Sequence, residues 1–253
     1  GAVFRFNSHV RELTCTGGNV SGVRRADGEQ RACDAVVFNG DVSALSTGLL
    51  GKDAANAARA TAPGDRSLSA VTWCVHATTS GFDLDYHNVF FAEDYAEEFE
   101  AVFKRRTITE APTVYICAQD RGAAARPAGP ERLLMLVNAP ADGDTTDFDA
   151  QQMADLKGRT CGLLQDCGLR IEDTEDSVTA TPADFNELFP ASGGALYGRA
   201  SHGMMASFER PGAASKVPGL YLAGGSVHPG PGVPMAAMSG RLAAERLLQD
   251  FAG

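Results

Sequence analysis

The chain has 253 residues, 44% of them hydrophobic, which is enough apolar material for one large core or two smaller ones. Its 22 Lys and Arg stand against 32 Asp and Glu for a net charge of −10, and its longest basic run is only Lys104–Arg106. A nucleic-acid partner is therefore disfavoured, because phosphate binding needs a concentrated cationic face.

Six cysteines (Cys15, Cys33, Cys74, Cys117, Cys161 and Cys167) show no C-x-x-C pair and no histidine at zinc-ligand spacing. They read as reduced structural thiols, with no metal site expected. No apolar run approaches the about 20 residues that span a bilayer, and no charged and apolar leader opens the sequence. Export and membrane insertion are disfavoured, which leaves a cytoplasmic protein that can still rest on a membrane surface. The sequence begins without Met, and Val3-Phe4-Arg5-Phe6 already reads as an apolar strand. A fragment of a longer protein is expected, with a processed mature start as the competing explanation.

From Val3 to Leu45 short strands are expected between turn signals. Val20–Arg24 and Glu29–Cys33 flank Asp27-Gly28, a dipeptide suited to a tight hairpin. Asp34-Ala-Val-Val-Phe-Asn39 is apolar in its centre and stops at Asn39-Gly40-Asp41, as a strand buried on both faces stops at a ligand-facing loop of an α/β sheet. Between Ser46 and Pro190 the candidate strands are Ser67–His76, Thr113–Ala118 and Leu133–Asn138, which suggests a mixed, largely antiparallel sheet with helices on one side. Asp94 to Arg106 (DYAEEFEAVFKRR) begins acidic and ends basic, and Tyr95, Phe99, Val102 and Phe103 recur near helical spacing, so a helix is expected there. Gln151–Cys167 is a second helix candidate, weakened by Gly158 and Gly162. Trp73, Phe90 and Phe91 are expected in the core, and Asp83, Asp85 and His87 are expected in a solvated turn rather than around a metal.

The closing stretch is the richest in chemical signals. Gly219-Leu-Tyr-Leu-Ala223 is a short apolar run with the length of a buried strand. Gly224-Gly225-Ser226 removes side chains where the backbone must turn or approach something closely. Val227-His228-Pro229-Gly230-Pro231-Gly232 follows as a stiff loop, and Val233 with Pro234 opens a helix that runs on through Met235. Strand, loop and helix together aim free backbone N–H groups and a partial positive charge into the crevice at the strand end. Such a helix start suits phosphate, or the N1/C2 carbonyl edge of a reduced flavin. A tight connection with no ligand uses the same residues. Gly230-Pro-Gly232 is not a G-x-G-x-x-G loop, since Met235 stands at the third glycine's position.

Leu220-Tyr-Leu-Ala-Gly-Gly-Ser-Val-His-Pro-Gly-Pro-Gly-Val-Pro-Met235, with Ser239-Gly240, resembles the bacterial-type phytoene-desaturase family. Ala195-Leu-Tyr-Gly-Arg-Ala-Ser-His-Gly-Met-Met-Ala-Ser-Phe-Glu-Arg-Pro211 and Cys33-Asp-Ala-Val-Val-Phe-Asn-Gly-Asp-Val-Ser-Ala-Leu45 are similar to the 1-hydroxycarotenoid 3,4-desaturases, or methoxyneurosporene dehydrogenases. The likeness covers both ends well and the middle loosely. It implies a two-domain, amine-oxidase-like flavoprotein of α/β class with an α+β middle. FAD-domain pieces at residues 1–45 and 195–253 would surround a substrate domain at 46–194. FAD is the implied cofactor. Gly224, Gly225 and Ser226 would face its pyrophosphate or ribityl chain, and Gly232, Val233, Pro234 and Met235 its isoalloxazine. Val10 would meet adenine through its backbone, and Asn39-Gly40 would lie beside the FAD. The wider superfamily often carries an acidic residue where Gly225 stands, which limits this position to a backbone contact. The G-x-G-x-x-G loop that opens the family's FAD domain occurs nowhere in this sequence. A carboxy-terminal portion of a longer desaturase is therefore expected, inactive and weakly flavin-binding on its own.

The implied reaction removes a hydride and a proton from adjacent carbons of an acyclic carotenoid, in carotenoid biosynthesis, with no residue singled out as catalytic. His202, Met204, Met205 and Phe208 could line a polyene tunnel or simply pack a core. His228 could approach the flavin or order its turn through a ring N–H. A C40 polyene partitions into lipid, so the protein is expected to work at the cytoplasmic face of the inner membrane through an apolar patch. The alternatives are a related FAD-dependent polyene isomerase or amine oxidase, and a non-catalytic, truncated lipid-binding module.

Overall fold

The computed structural model describes residues 1–122, 129–173, 177–200 and 209–252. In chain order, β1 (Val10–Thr16), β2 (Asn19–Arg25), β3 (Gln30–Ala32), β4 (Val36–Phe38) and α1 (Val42–Ser46) come first. They are followed by β5 (Ser69–Gly81), β6 (His87–Phe90), α2 (Tyr95–Phe99), β7 (Val114–Ala118), β8 (Glu131–Ala139), α3 (Ala150–Asp166), β9 (Leu169–Asp173), β10 (Val178–Ala180) and α4 (Pro182–Leu188). β11 (Leu220–Leu222) and α5 (Val233–Phe251) close the chain. The chain divides into two compact units, the first made of residues 1–67, 189–192 and 197–253, the second of 68–188 and 193–196.

Unit 1 joins the beginning of the chain to its end. β1, β2 and β3 form an antiparallel meander, with the β2–β3 turn at Asp27-Gly28 as its dipeptide predicts. β4 pairs in parallel with β11, Val36 opposite Leu220 and Phe38 opposite Leu222. Alternation then sorts the side chains of β11. Leu220 and Leu222 pack with Leu13, Val20, Val42 and Leu45, whereas Tyr221 and Ala223 pack with Ala243 of α5. β4 is not buried on both faces as its sequence suggests, because Val37 is 47% exposed. Among the described residues β4 has a strand partner on one side only. Val3–Phe6 is not a strand either: Val3, Phe4 and Phe6 are exposed, and among the described residues no strand takes their backbone groups.

Unit 2 is a six-stranded sheet in which every pairing is antiparallel, ordered β10-β5-β8-β7-β6 with β9 also on β5. One face is the core, where Val71, Trp73, Val75, Val114, Ile116, Leu133, Met135 and Val137 meet Leu156 and Leu164 of α3. α3 forms despite its glycines because its start is doubly satisfied. Asp149 Oδ1 accepts the Gln152 N–H at 2.8 Å, and Gln152 Oε1 accepts the Asp149 N–H at 2.9 Å. Leu156, Thr160 and Leu164, four apart, then place one stripe on the sheet.

α2 is capped by Asp94 and runs on as a wider π-helical segment, Glu100–Arg105. The sequence spacing points Tyr95 and Phe99 inward, yet both are exposed, and Glu98 is 2% exposed in their place. Glu98 is held by two hydrogen bonds, from the Thr113 N–H at 3.1 Å and from Asn138 Nδ2 at 2.9 Å. Phe91 also departs from its core expectation, at 64% exposed, whereas Trp73 and Phe90 are buried. None of the six cysteines is in a disulfide. Among the described residues no helix is long and apolar enough to cross a membrane.

A charged pair in unit 2 is largely buried. Arg121 holds Glu131 through two 2.7 Å hydrogen bonds, while its own side chain donates to Thr79 and to the Leu84 carbonyl. The guanidinium keeps the Glu131 carboxyl below its ordinary value, with Thr79 acting in the same direction and burial opposing it. Arg121→Met strands that carboxylate and is expected to cost about 3–5 kcal/mol in urea unfolding at neutral pH. Because the folded carboxyl is depressed, its contribution is present above the ordinary glutamate value of about 4.3 and is lost as pH falls below it. Glu131→Gln should remove that acid-side component, and unfolding curves that keep the wild-type slope below pH 4.3 would refute the assignment.

Candidate functional site

In unit 1 the loops after the parallel strands β4 and β11 face one crevice, the place where a parallel arrangement leaves room for a ligand. Three hydrogen bonds fasten the loops together. The Ala223 N–H donates to the Phe38 carbonyl at 3.0 Å, the Val42 N–H to Ser226 Oγ at 3.3 Å, and the Gly224 N–H to Ser239 Oγ at 3.2 Å. Ser226 and Ser239 are both buried. Each hydroxyl satisfies an amide that has left the sheet, and stranding such a buried donor costs about 1–3 kcal/mol. A cavity of about 250 Å³ adjoins these loops, lined by Asp41, Val42, Ser43, Gly198, Arg199 and Ser226 among others.

Gly224 is buried at φ 119°, and a Cβ there would lie 3.1 Å from Asn39 Nδ2. The position therefore demands glycine on both conformational and steric grounds. Gly225 differs: a Cβ would meet only Pro231 Cα, at an ordinary 3.7 Å. Gly232, at φ 96° and open to solvent, ends the loop and supplies no side-chain cap to α5. Pro234 occupies the first turn, and the earliest helical amide to reach a carbonyl among the described residues is Ala236, bonded to Gly232 O at 2.9 Å. The N–H groups of Val233 and Met235 precede it, and both residues are exposed, at 85% and 43%. An uncapped, nineteen-residue helix thus presents bare donors and the positive end of its dipole to solvent.

The structure brings Asn39, Gly224 and Ser226 into one loop cluster and sets Gly232–Met235 at the head of α5. Gly40 follows Asn39, and a Cβ added there would lie 2.6 Å from the Phe38 ring. Val10 lies on a different sheet, as the half-buried first residue of β1, paired with Arg25. His228 is half-buried, donates its N–H to the Pro211 carbonyl at 2.9 Å and precedes a cis peptide bond to Pro229. His202, Met204, Met205 and Phe208 lie outside the described residues. Asp83 pairs with Arg121 at 3.4 Å, and His87 bonds Tyr115.

Arg210 carried no sequence signal beyond its place in a quoted stretch. It is 5% exposed, donates to the Gly225 carbonyl at 3.1 Å and the Arg199 carbonyl at 2.7 Å, and lies under Gly230. Burial pushes its guanidinium pKa down, and the Asp41 charge acts in the opposite direction. It pins the 225–230 loop from below, a role that depends on tertiary placement and not on any local pattern.

Unit 2 carries a second feature. The sheet face opposite its core bears Thr72 and Cys74 of β5, Leu134 and Leu136 of β8, Tyr115 of β7, Val89 of β6 and Val178 of β10, in register across the strands. Val89 and Val178 are 48% and 68% exposed, and Leu134, Leu136 and Tyr115 are half-buried. It is an open apolar surface with no carboxylate among these residues.

The sequence matches the family described as flavin containing amine oxidoreductase over residues 1–248. It is 54% identical over 250 residues to a hydroxyneurosporene desaturase of Rubrivivax gelatinosus, covering 98% of this chain and 48% of that protein. A hydroxyneurosporene desaturase of Cereibacter sphaeroides is 43% identical over 100% of this chain and 50% of its own length. A 1-hydroxycarotenoid 3,4-desaturase of a Flavobacterium species is 32% identical over 97% of this chain and 50% of its own length. The chain spans about half the length of these curated relatives.

The neighbouring glycines make opposite predictions. Gly224→Ala meets both a left-handed backbone and the Asn39 amide, and is expected to destabilise by about 1–3 kcal/mol. Gly225→Ala should stay within about 0.5 kcal/mol of wild type. Thermal unfolding of the two variants side by side checks this, and equal midpoints would sink the geometry given for Gly224.

Proposed function

Because this chain belongs to the flavin containing amine oxidoreductase family, with flavin as the cofactor that goes with it, we propose that it forms part of an FAD-dependent carotenoid desaturase. The reaction is dehydrogenation of an acyclic carotenoid, at C3–C4 of a 1-hydroxy or 1-methoxy substrate. The observation that carries the reading is the uncapped start of α5 at the end of a parallel strand pair, where Gly232 and the exposed Val233 and Met235 leave backbone donors open. Such a site suits the electron-rich carbonyl edge of a flavin, which gains negative charge on reduction.

Unit 1 takes the flavin side and unit 2 the substrate side. Gly224 has no side chain and permits close approach of the ribityl or pyrophosphate portion, Ser226 holds the facing loop beside Asn39, and Val10 offers backbone to the adenine. When bound, FAD supplies the acceptor for the hydride that leaves the polyene. The protein's part is placement: an acyclic hydrocarbon offers no polar handle along its length, so an open sheet face of Leu134, Leu136, Val89 and Val178 can orient it and exclude water.

A long polyene dissolves in lipid, and loading at the cytoplasmic face of a membrane follows from that partition. Phe91, Tyr95 and Phe99 support the contact, since they are exposed at 64%, 46% and 38% and successive rings lie 5.6 and 4.9 Å apart. Aromatic rings favour the bilayer interface.

Incubating the flavin-loaded full-length enzyme with an acyclic 1-hydroxycarotenoid should give a product two hydrogens lighter that absorbs at longer wavelength. An unchanged carotenoid, an isomer of equal mass, or turnover of amines instead would overturn the proposal. Liposome flotation should carry the protein upward with neutral vesicles, and less so for Phe91→Ser with Phe99→Ser.

A further inference from the structure

His87 and Tyr115 stand out on the open face of the unit 2 sheet as a polar pair on an apolar surface. His87 lies on β6 opposite Cys117, and Tyr115 lies two positions back on β7, opposite Val89. Diagonal neighbours of this kind are within reach of aromatic side chains. The His87 Nδ1 to Tyr115 Oη distance is 2.7 Å, and the two rings stack with centroids 6.0 Å apart. Tyr86 packs edge-on against His87, at 4.6 Å. The imidazole thus touches two aromatic rings, while the residues beyond Tyr115 on the same face are Leu136 and Thr72.

Such a pair has a definite hydrogen-bonding capacity. If Tyr115 donates to Nδ1, then Nε2 carries the ring proton and donates outward while the phenol oxygen still accepts. If Nδ1 donates to the phenol, the phenol donates outward and Nε2 accepts. Either tautomer leaves one donor and one acceptor side by side. An alcohol needs that combination, whereas a hydrocarbon end has no use for it. Burial and the neighbouring Cys117 thiol push Tyr115 above the ordinary phenol value, which keeps its proton on the oxygen. The other polar groups nearby are committed: Glu98 and Asn138 bond each other, and Arg132 is paired with Asp120.

We infer that His87 and Tyr115 recognise the terminal hydroxyl of the polyene and so set the preference for a hydroxylated over an unhydroxylated acyclic carotenoid. The inference rests on the desaturase reading and deepens it. A site built to bond a hydroxyl rejects an analogue that lacks one, because its own polar groups are then left unpaired.

The test uses the flavin-loaded full-length enzyme and two acyclic carotenoids that differ only in the terminal tertiary hydroxyl. KM and kcat are measured separately for wild type, Tyr115→Phe and His87→Leu. Wild type is expected to prefer the hydroxylated substrate in KM, and each variant to shrink the ratio of the two KM values by about 5- to 10-fold, the worth of one neutral hydrogen bond. A merely structural loss would raise both KM values together and leave the ratio alone. Wild-type ratios in both variants, or a wild-type enzyme that does not distinguish the substrates, overturn the inference while desaturation stands. A wild-type enzyme that converts neither carotenoid overturns the desaturase reading, and the inference with it. His87 is exposed, so its variant keeps the comparison available even where Tyr115→Phe loosens the sheet.

Discussion

The three-residue parallel pairing between β4 and β11 is the constraint on which the rest of unit 1 depends. It brings residues near 36 and residues near 220 into one register, and the two loops that follow are then fixed by what lies beyond the sheet. Ser226 takes the amide that starts α1, and Ser239, one turn and a half into α5, takes the amide that leaves β11. Neither hydroxyl could act if the strands slipped by one residue, because Leu220 and Leu222 would exchange faces with Tyr221 and Ala223. The crevice is thus a by-product of register, and the bare start of α5 is aimed by the same pairing.

Unit 2 solves a different problem with a sheet whose two faces have different tasks. The face under α3 is closed by Leu156 and Leu164 and anchored at its margin by Arg121 and Glu131. A buried pair of that kind adds little net stability, but it penalises any rearrangement that separates the charges. The opposite face keeps apolar side chains accessible, which in a stable protein marks a surface with a purpose. Its β-branched and leucine side chains stand in rows set by the strand register, and the His87–Tyr115 pair is a polar departure in those rows.

Much of this was legible before any coordinates. Asp27-Gly28 announces its hairpin, the apolar alternation of β8 its strand, and Gly219 to Met235 the sequence of strand, loop and helix. Those signals are local, and local propensity suffices for them. The failures have a common cause. Val3–Phe6 has the composition of a strand but, among the described residues, no strand to pair with. Phe91, Tyr95 and Phe99 have the composition of core residues, but Glu98 takes the inward position because Asn138 and the Thr113 amide, distant in sequence, satisfy it. Arg210 could not be singled out at all, since the Gly225 and Arg199 carbonyls it donates to are brought to it only by the fold. Residues whose role is decided by a non-local partner stay silent in a single sequence.

The discontinuous construction of unit 1 also bears on how the protein is made. Val42 and Ser226 are 184 positions apart. At ribosomal speeds of about 5–20 residues per second, the edge of β4 waits roughly ten to forty seconds for the strand that completes it. Unit 2, complete by residue 196, can assemble within that interval. The nascent chain therefore carries a finished sheet while β4 still lacks β11, and that apolar strand stays open to chaperones until β11 has been made.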